Sequence, residues 1–586
     1  MKKTILAMLA ASVCVAAMAA PVKGDKAQLH FLETTDVHGS FFPIDFISGK
    51  AIDGSMARVS AYVKDLRKAA PDGVVLLDNG DILQGRPLSY YYNYVATDKE
   101  NVAASVINYM QYDAQSFGNH DVEPGHAVYD KWTSEVACPS LGANILDSRT
   151  GLPYAMPYTI VNRQGVKVAV LGMLTPAIPN WLAEPIWSGL RFAPMVESAR
   201  YWVDFLKRNE HPDLIVGLFH SGYEGGIVTD DYRENASAQV AREVPGFDVI
   251  FCGHDHRVHN SMDKVADGSE VLVLNPANNA MALAQATVDL EFDGTSWKVT
   301  DRKGTIVDMK STPIDEEFMA HFAPQINEVN QWVKRPIGTL ATTINSADCF
   351  FGNSAFGDMI LDLTLRVQDA DIAFGAPLQA DATLKKGVIT VGNMFDLYRF
   401  ENDLYILNLT GEEVRKHLEM SYGLWISTMK SPSDHIMRLV DTGNGLWFEK
   451  PTYNFDSAAG IDYEVDVTKP EGERVKILRM SNGEPFDEAK VYRVAMNSYR
   501  GNGGGELLTR GAGIPKAELQ KRIVYRSPTQ MRTELMKVIE KAGTINPKAG
   551  HNWKFVPEKW TKPALARDRK LLFGKKITNF NQDKNV

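Results

Sequence analysis

Cysteine is scarce in this chain of 586 residues, which carries four: Cys14, Cys138, Cys252 and Cys349. That excludes a disulfide framework, and the three beyond the N-terminal segment, an odd number, read as buried small side chains. An excess of basic charge is also missing. With 63 Lys and Arg against 72 Asp and Glu, the net charge of -9 gives no positive stripe for a nucleic acid polymer, so any phosphate-bearing substrate must be met by local charge. Beyond Ala20 no apolar run reaches the length of a membrane span. No internal repeat or low-complexity segment is present.

What is present is ordinary globular composition, 44% hydrophobic and 23% charged, in a chain too long for one compact core. At least two domains are expected. At the start, Lys2 and Lys3 precede an apolar run from Ile5 to Ala17, and Ala17-Met18-Ala19 offers a cleavage site. Residues 1–19 therefore read as a secretory signal peptide, and the mature chain is expected outside the cytoplasm, secreted or periplasmic, without an anchor.

Residues 20–311 alternate short apolar runs with helical stretches, the texture of a layered α/β domain. Near Thr312 the pattern changes. Thr312 and Pro313 suggest a helix start, Phe318, Phe322, Ile326, Val329 and Val333 follow helical spacing, and Pro324 should kink the helix. Residues 312–337 thus read as a helical linker. A second, smaller α/β domain is expected over residues 338–545, with strands near Asp371–Phe374, Leu404–Leu409, Ile461–Val467 and Tyr492–Met496. Its last helix is expected to start at Ser527-Pro528 and to stop at Gly543. Residues 546–586 show no period and read as a surface tail.

Several apolar runs of the first domain end in residues that bind metals. Leu29 to Thr35 ends in Asp36-Val37-His38-Gly39, and Val74 to Leu77 in Asp78-Asn79-Gly80-Asp81. Leu214 to Phe219 ends in His220, and Val249 to Phe251 in Cys252-Gly253-His254-Asp255-His256. Gly118-Asn119-His120-Asp121 follows a helical stretch. One such group is an ordinary turn, because Asp and Gly serve turns well. Five together point to a ligand site, for in open α/β sheets ligands bind where strand carboxyl ends meet. Parallel neighbouring strands would bring all five to one edge.

The order Asp-x-His, Gly-Asp, Gly-Asn-His-Asp, a lone His and Gly-His-x-His resembles the metallophosphoesterase superfamily. The companion domain resembles that of the periplasmic 5′-nucleotidase and 2′,3′-cyclic-nucleotide 2′-phosphodiesterase/3′-nucleotidase family. The resemblance implies one divalent metal held by Asp36, His38, Asp81 and His256, and a second held by Asp81, Asn119, His220 and His254, with Asp81 bridging. Nitrogen and oxygen ligands without a thiolate suit Zn, Mn, Co or Fe. It also implies that His120 acts beside the metals on the transition state or leaving oxygen, oriented by Glu123 or by the adjacent Asp121. Arg58 reads as one half of a structural ion pair.

For the second domain the resemblance implies nucleotide substrates, with Trp425 and Tyr499, both expected in loops, sandwiching the base, and Asn497 beside them. The glycine run Gly503–Gly505 would let backbone approach the ligand. Gly375-Ala-Pro-Leu-Gln-Ala, the segment around Tyr453-Asn-Phe-Asp, and Asn497-Ser-Tyr-Arg resemble the cyclic-phosphodiesterase/3′-nucleotidase branch. Activity on 2′,3′-cyclic nucleotides and 3′-nucleotides is expected, from a monomer, with 5′-nucleotidase activity as the runner-up. The alternatives are a catalytically idle nucleotide-binding protein and an esterase for another phosphorylated or sulfur-containing small molecule.

Overall fold

The computed structural model describes residues 20–443 and 445–574. The expected signal peptide lies outside the described residues. Among the described residues no helix is long and apolar enough to cross a membrane.

The N-terminal region is built on two six-stranded sheets. One runs in the order Trp297–Asp308, Ala282–Phe292, Lys26–Thr34, Val74–Asp78, Ala114–Ser116 and Ser140–Leu141. The other runs Val258–Lys264, Glu270–Pro276, Val249–Cys252, Leu214–His220, Val166–Leu174 and Tyr158–Arg163. Side chains alternate across each strand. Leu29, Phe31, Val75 and Leu77 point into a shared core against Val168, Val170, Val216, Leu218 and Phe251 of the other sheet. Leu32 and Leu76 face outward, where Met56, Val59 and Val63 of the helix Met56–Ala69 cover them. The helix Met195–Asn209 covers the far side of the second sheet through Ala199, Val203 and Leu206. The region is thus four layers, helix, sheet, sheet and helix. The expected α/β layering holds, but as two packed sheets in place of one open sheet.

Within each sheet the strands that precede the candidate ligands run parallel and end level. Thr34 pairs with Asp78, and Phe219 pairs with Cys252. Gly118-Asn119-His120-Asp121 follows the short strand Ala114–Ser116, not a helix.

The connecting segment forms two helices. Glu316–His321 starts one turn later than expected, because the Asp315 side chain caps it by accepting from the amides of Glu317 and Phe318. The break falls at Phe322, and Pro324 sits in the first turn of Ala323–Val333, where its missing N–H leaves no bond unmade.

The C-terminal region centres on a mixed five-stranded sheet in the order Ser457–Ala459, Ile372–Gly375, Val491–Asn497, Asp403–Thr410 and Ile523–Gln530. Two expectations fail here. Ser527 and Pro528 belong to that last strand, an edge strand where proline is tolerated, and the helix begins at Met531. The described part of the expected tail, residues 546–574, belongs to the fold: Trp553–Val556 pairs in parallel with Ile461–Asp466, and Glu558–Phe573 is a helix. Trp553, Phe555, Ala564 and Leu572 lie in the core. Buried Asp568 anchors that helix by accepting from the amides of Ile436 and Met437, 2.8 and 3.1 Å away.

Candidate active site

The five groups expected to converge do so, at the carboxyl ends of strands drawn from both sheets. Asp36, His38 and His256 form one group and Asp81, His220 and His254 another, and within each group the potential ligand atoms lie within 4.8 Å of one another. Asp81 Oδ2 stands between them, 3.2 Å from His220 Nε2 and 4.0 Å from His38 Nε2. Asn119 Oδ1 joins the second group, 2.7 Å from His254 Nδ1 and 3.2 Å from His220 Nε2.

Five of these seven residues adopt left-handed backbone: Asp36 at φ 50°, His38 at 48°, Asp81 at 57°, His254 at 73° and His256 at 54°. Non-glycine residues rarely do so, and such conformations gather where function requires them. Gly118 lets two of the loops stack, because a Cβ there would lie 2.1 Å from Asp81 Oδ1.

The supporting bonds fix which imidazole nitrogen faces inward. His220 Nδ1–H donates to the Asn79 carbonyl at 2.6 Å, and His38 Nδ1–H to the Gln84 carbonyl at 3.2 Å, so each turns Nε2 inward. His254 Nε2–H donates to Glu234 at 2.9 Å and presents Nδ1. Sequence reasoning missed Glu234 and Gln84. A carbonyl carries no side-chain signal, and Glu234 lies in the loop between His220 and His254 outside either motif.

The arrangement fits a pair of divalent cations. His38 Nε2 and His256 Nε2 face each other at 3.0 Å, and Asp36 Oδ1 is buried without a well-aligned hydrogen bond. Burial alone would raise the Asp36 carboxyl, but His220 and His256 outweigh it and hold it at about 2. Buried, inward-facing nitrogens and carboxylate oxygens without a thiolate form a divalent-metal donor set.

His120 stands beside these groups. Its ring centroid is 5.4 Å from that of His38, and its amide donates to Asp81 Oδ1 at 2.7 Å. Its Nδ1–H donates to Glu123 Oε2 at 2.6 Å. Burial lowers the His120 imidazole, but the Asp81 and Glu123 charges outweigh it and push it up to about 9. Asp121 does not orient His120. Its buried carboxylate accepts from the amides of Gly118, Asp81, Ile82 and Leu83 at 2.7–2.9 Å, which clamps the two ligand loops together. From the C-terminal region, Glu401 comes close enough to feel this dyad. Burial raises its carboxyl to about 7, with Arg532 opposing and Glu123 adding to the rise.

Other expectations need correction. Trp425 is not in a loop: it ends the helix Gly411–Trp425 and is 1% exposed. Tyr422 stacks with it at 5.2 Å and Phe455 at 5.4 Å, both nearly parallel, and this core packing leaves no room for a base. Asn497 Oδ1 caps the short helix Ser498–Gly501 by accepting from the Arg500 amide at 2.8 Å, so that oxygen is committed to the backbone. Arg58 donates to the Thr312 carbonyl and not to a carboxylate. The glycine run packs on the protein itself, since a Cβ at Gly504 would lie 2.5 Å from the Tyr499 ring. Tyr499 remains partly exposed, and its neighbour is Tyr453, also partly exposed, with ring centroids 6.1 Å apart. Tyr453 lies in the Tyr453-Asn-Phe-Asp segment, but the sequence offers no sign of which of its aromatics is left partly exposed.

Comparison with known proteins bears on this geometry. The calcineurin-like phosphoesterase family model matches residues 29–258, and that of the 5′-nucleotidase C-terminal domain matches residues 336–510. The chain is 28% identical over 592 residues to the trifunctional nucleotide phosphoesterase protein of Bacillus subtilis, covering 91% of this chain but only 39% of that one. It is 28% identical over 601 residues to the 2′,3′-cyclic-nucleotide 2′-phosphodiesterase/3′-nucleotidase of Haemophilus influenzae, covering 90% of this chain and 87% of that one. The 5′-nucleotidase precursor of Thermus thermophilus shares the fold, with a TM-score of 0.60 at 22% identity over 91% of this chain and all of that one. The chain therefore joins a calcineurin-like phosphoesterase domain to a 5′-nucleotidase C-terminal domain, as a phosphoester hydrolase.

Proposed function

We propose that this chain hydrolyses phosphoester bonds of nucleotides outside the cytoplasm, as a monomer, with 2′,3′-cyclic nucleotides and 3′-nucleotides as its preferred substrates. The observation that carries the reading is the pair of ligand groups, Asp36, His38 and His256 beside Asp81, His220 and His254, with Asp81 Oδ2 4.0 Å from His38 Nε2 and the His120–Glu123 dyad next to them. The preference rests on the relatives named for that activity, which are 26–28% identical over 90–94% of this chain, against 24–25% over 81–83% for those named 5′-nucleotidases. Hydrolysis of 5′-nucleotides remains the second reading.

In this proposal Asp36, His38, Asp81 and His256 hold one divalent ion, and Asp81, Asn119, His220 and His254 hold the other. The ions supply the positive charge that polarises a phosphoryl group and makes water more acidic. The protein's own groups do the rest. His120, charged and held by Glu123, presents Nε2–H to the leaving oxygen, donates its proton as the ester bond breaks, and balances negative charge in the transition state. Tyr499 and Tyr453 take the base, in place of Trp425, and stacking on them adds to the affinity for the nucleotide.

The test is phosphate release from purified protein with 5′-, 3′- and 2′,3′-cyclic nucleotides in Zn, Mn, Co and Fe. Turnover should vanish on chelation, return with metal, and favour the cyclic and 3′ substrates. Full turnover in protein shown by elemental analysis to be metal-free would overturn the two-ion reading, and a preference for 5′-nucleotides would reverse the substrate order.

A further inference from the structure

We propose that Arg500, Asp456 and His417 form a buried positioning system that fixes the Tyr453 and Tyr499 segments relative to each other, and so sets how tightly the enzyme holds a nucleoside base. This rests on the reading of those two tyrosines as the base site. None of the three buried residues is itself placed against substrate.

The exposures are 2% for Arg500, 3% for Asp456 and 0% for His417, so the trio lies beneath the surface that carries the two rings. A guanidinium has five N–H groups, and here five acceptors surround it. Nε donates to Asp456 Oδ2 at 2.8 Å, and Nη2 to Asp456 Oδ1 at 3.0 Å. Nη2 also donates to the Tyr453 carbonyl at 2.9 Å, and Nη1 to Asn454 Oδ1 at 3.1 Å and the Gly504 carbonyl at 2.5 Å. All five acceptors belong to two stretches, residues 453–456 and Gly504. Arg500 itself directly follows Tyr499. One side chain thereby joins the Tyr453 segment to the loop on which the Tyr499 ring rests.

His417 completes the arrangement from the core side. Its Nε2–H donates to Asp456 Oδ2 at 2.8 Å, and its ring stacks on Phe374 at 4.1 Å and 7°. The helix Gly411–Trp425, which carries His417, thus sets the direction of the Asp456 carboxylate, and the carboxylate sets that of Arg500. Gly505 leaves the room this needs: a Cβ there would lie 2.1 Å from Asn454 Oδ1 and 2.4 Å from Arg500 Nη1.

Burying an ion pair is a poor way to gain stability, because desolvation offsets most of the attraction and an apolar cluster of equal size does as well. A pair whose remaining donors all reach the backbone or side chains of two neighbouring loops does something an apolar cluster cannot. It fixes direction as well as distance. Arg500→Lys keeps the charge but loses the fork, so it tests geometry separately from charge.

The experiment uses the full chain with its metals and compares kcat and KM for a 3′-nucleotide and for a base-free aryl phosphate. Four variants are needed: Arg500→Lys, Asp456→Asn, His417→Leu and His417→Gln, the last retaining a side-chain N–H donor. Tyr499→Ala serves as the reference. For Arg500→Lys and Asp456→Asn we expect the nucleotide KM to rise by about fivefold to a hundredfold, the range that lost base stacking would give. The nucleotide kcat and the aryl phosphate parameters should change less than about twofold. His417→Leu should show the same selective KM effect in weaker form, and His417→Gln should return the nucleotide KM to near the wild-type value. Aryl phosphate turnover doubles as a check that each variant is folded and metal-loaded. If Tyr499→Ala leaves the ratio of the two substrates unchanged, the base site itself is wrong. If Tyr499→Ala shifts the ratio while folded Arg500→Lys and His417→Leu do not, the positioning role is refuted and the base site stands. If Arg500→Lys fails to fold, the two His417 variants decide, and equal nucleotide KM values for Leu and Gln refute the proposal.

Discussion

Replacing Glu123 with Gln keeps the shape of the side chain and removes only its charge, which isolates what that charge does for His120. The bond at stake is 2.6 Å long, between side chains only 28% and 18% exposed, so water screens it weakly. Hydrogen bonds to charged groups contribute about 1.5–3 kcal/mol net. If His120 works as an imidazolium, that loss falls on the transition state and lowers kcat by roughly ten- to 150-fold. His120→Asn sets the ceiling, at about 10²–10⁴-fold for loss of a general acid. The double variant should be no slower than His120→Asn, because Glu123 acts only through the ring. Asp121→Asn should behave differently. Its carboxylate accepts four backbone amides, so the substitution should lower the melting temperature and loosen metal retention before it touches kcat. The assay is kcat on a base-free aryl phosphate, with bound metal measured by elemental analysis in each variant. A Glu123→Gln enzyme within about twofold of wild type, fully metal-loaded, would refute the dyad. So would a double variant much slower than His120→Asn alone.

Two further outcomes follow from packing. Trp425→Ala should cost about 3–5 kcal/mol of stability through the cavity it leaves while the nucleotide-to-aryl-phosphate ratio stays put, whereas Tyr499→Ala should cost little stability and shift that ratio; a melting curve and the two-substrate assay separate them, and the reverse pattern would restore Trp425 to the base site. Burial would raise the Asp315 carboxyl, but Lys64, Ser60 and the Phe318 amide outweigh it and hold it below its ordinary value, so its stabilisation is complete above pH ~4 and lost as pH falls through the depressed folded value. Unfolding free energies from urea titration should therefore differ between wild type and Asp315→Ala by ~1 kcal/mol at pH 6 and converge near pH 2; a gap unchanged with pH would show that the carboxylate charge is not what caps the helix.

The candidate metal site was legible because its signal is local. Asp36-x-His38 and His254-x-His256 keep their ligands two residues apart, and each motif stands directly after a run of apolar residues long enough for a strand. What failed depended on pairing across long stretches of chain. Leu29, Phe31 and Leu32 are all apolar, so the run does not reveal that its two faces meet different layers, one a second sheet and the other a helix. Trp553–Val556 reads as structureless until Ile461–Asp466, about ninety residues earlier, is placed beside it. Trp425 and Tyr499 look alike as aromatics near glycines, and only tertiary packing decides that Tyr422 and Phe455 cover the first while the second stays partly exposed. The Glu123 and Asp121 alternatives differ by two residues in a single helical turn. Which one reaches the imidazole depends on the direction of that turn, which composition does not record.

The ligand groups come from both sheets: Asp36, His38, Asp81 and Asn119 follow strands of one, while His220 ends a strand of the other and His254 and His256 follow its neighbour. Ions held by both would act as a rivet through the seam between the layers. A slip of one sheet by a single residue is about 3.3 Å, enough to pull every donor out of reach of its partners across the seam. Resistance to shear and readiness for chemistry would then be one mechanical property. An early sign of wear in such a molecule would be a lost cation, with the two halves free to creep.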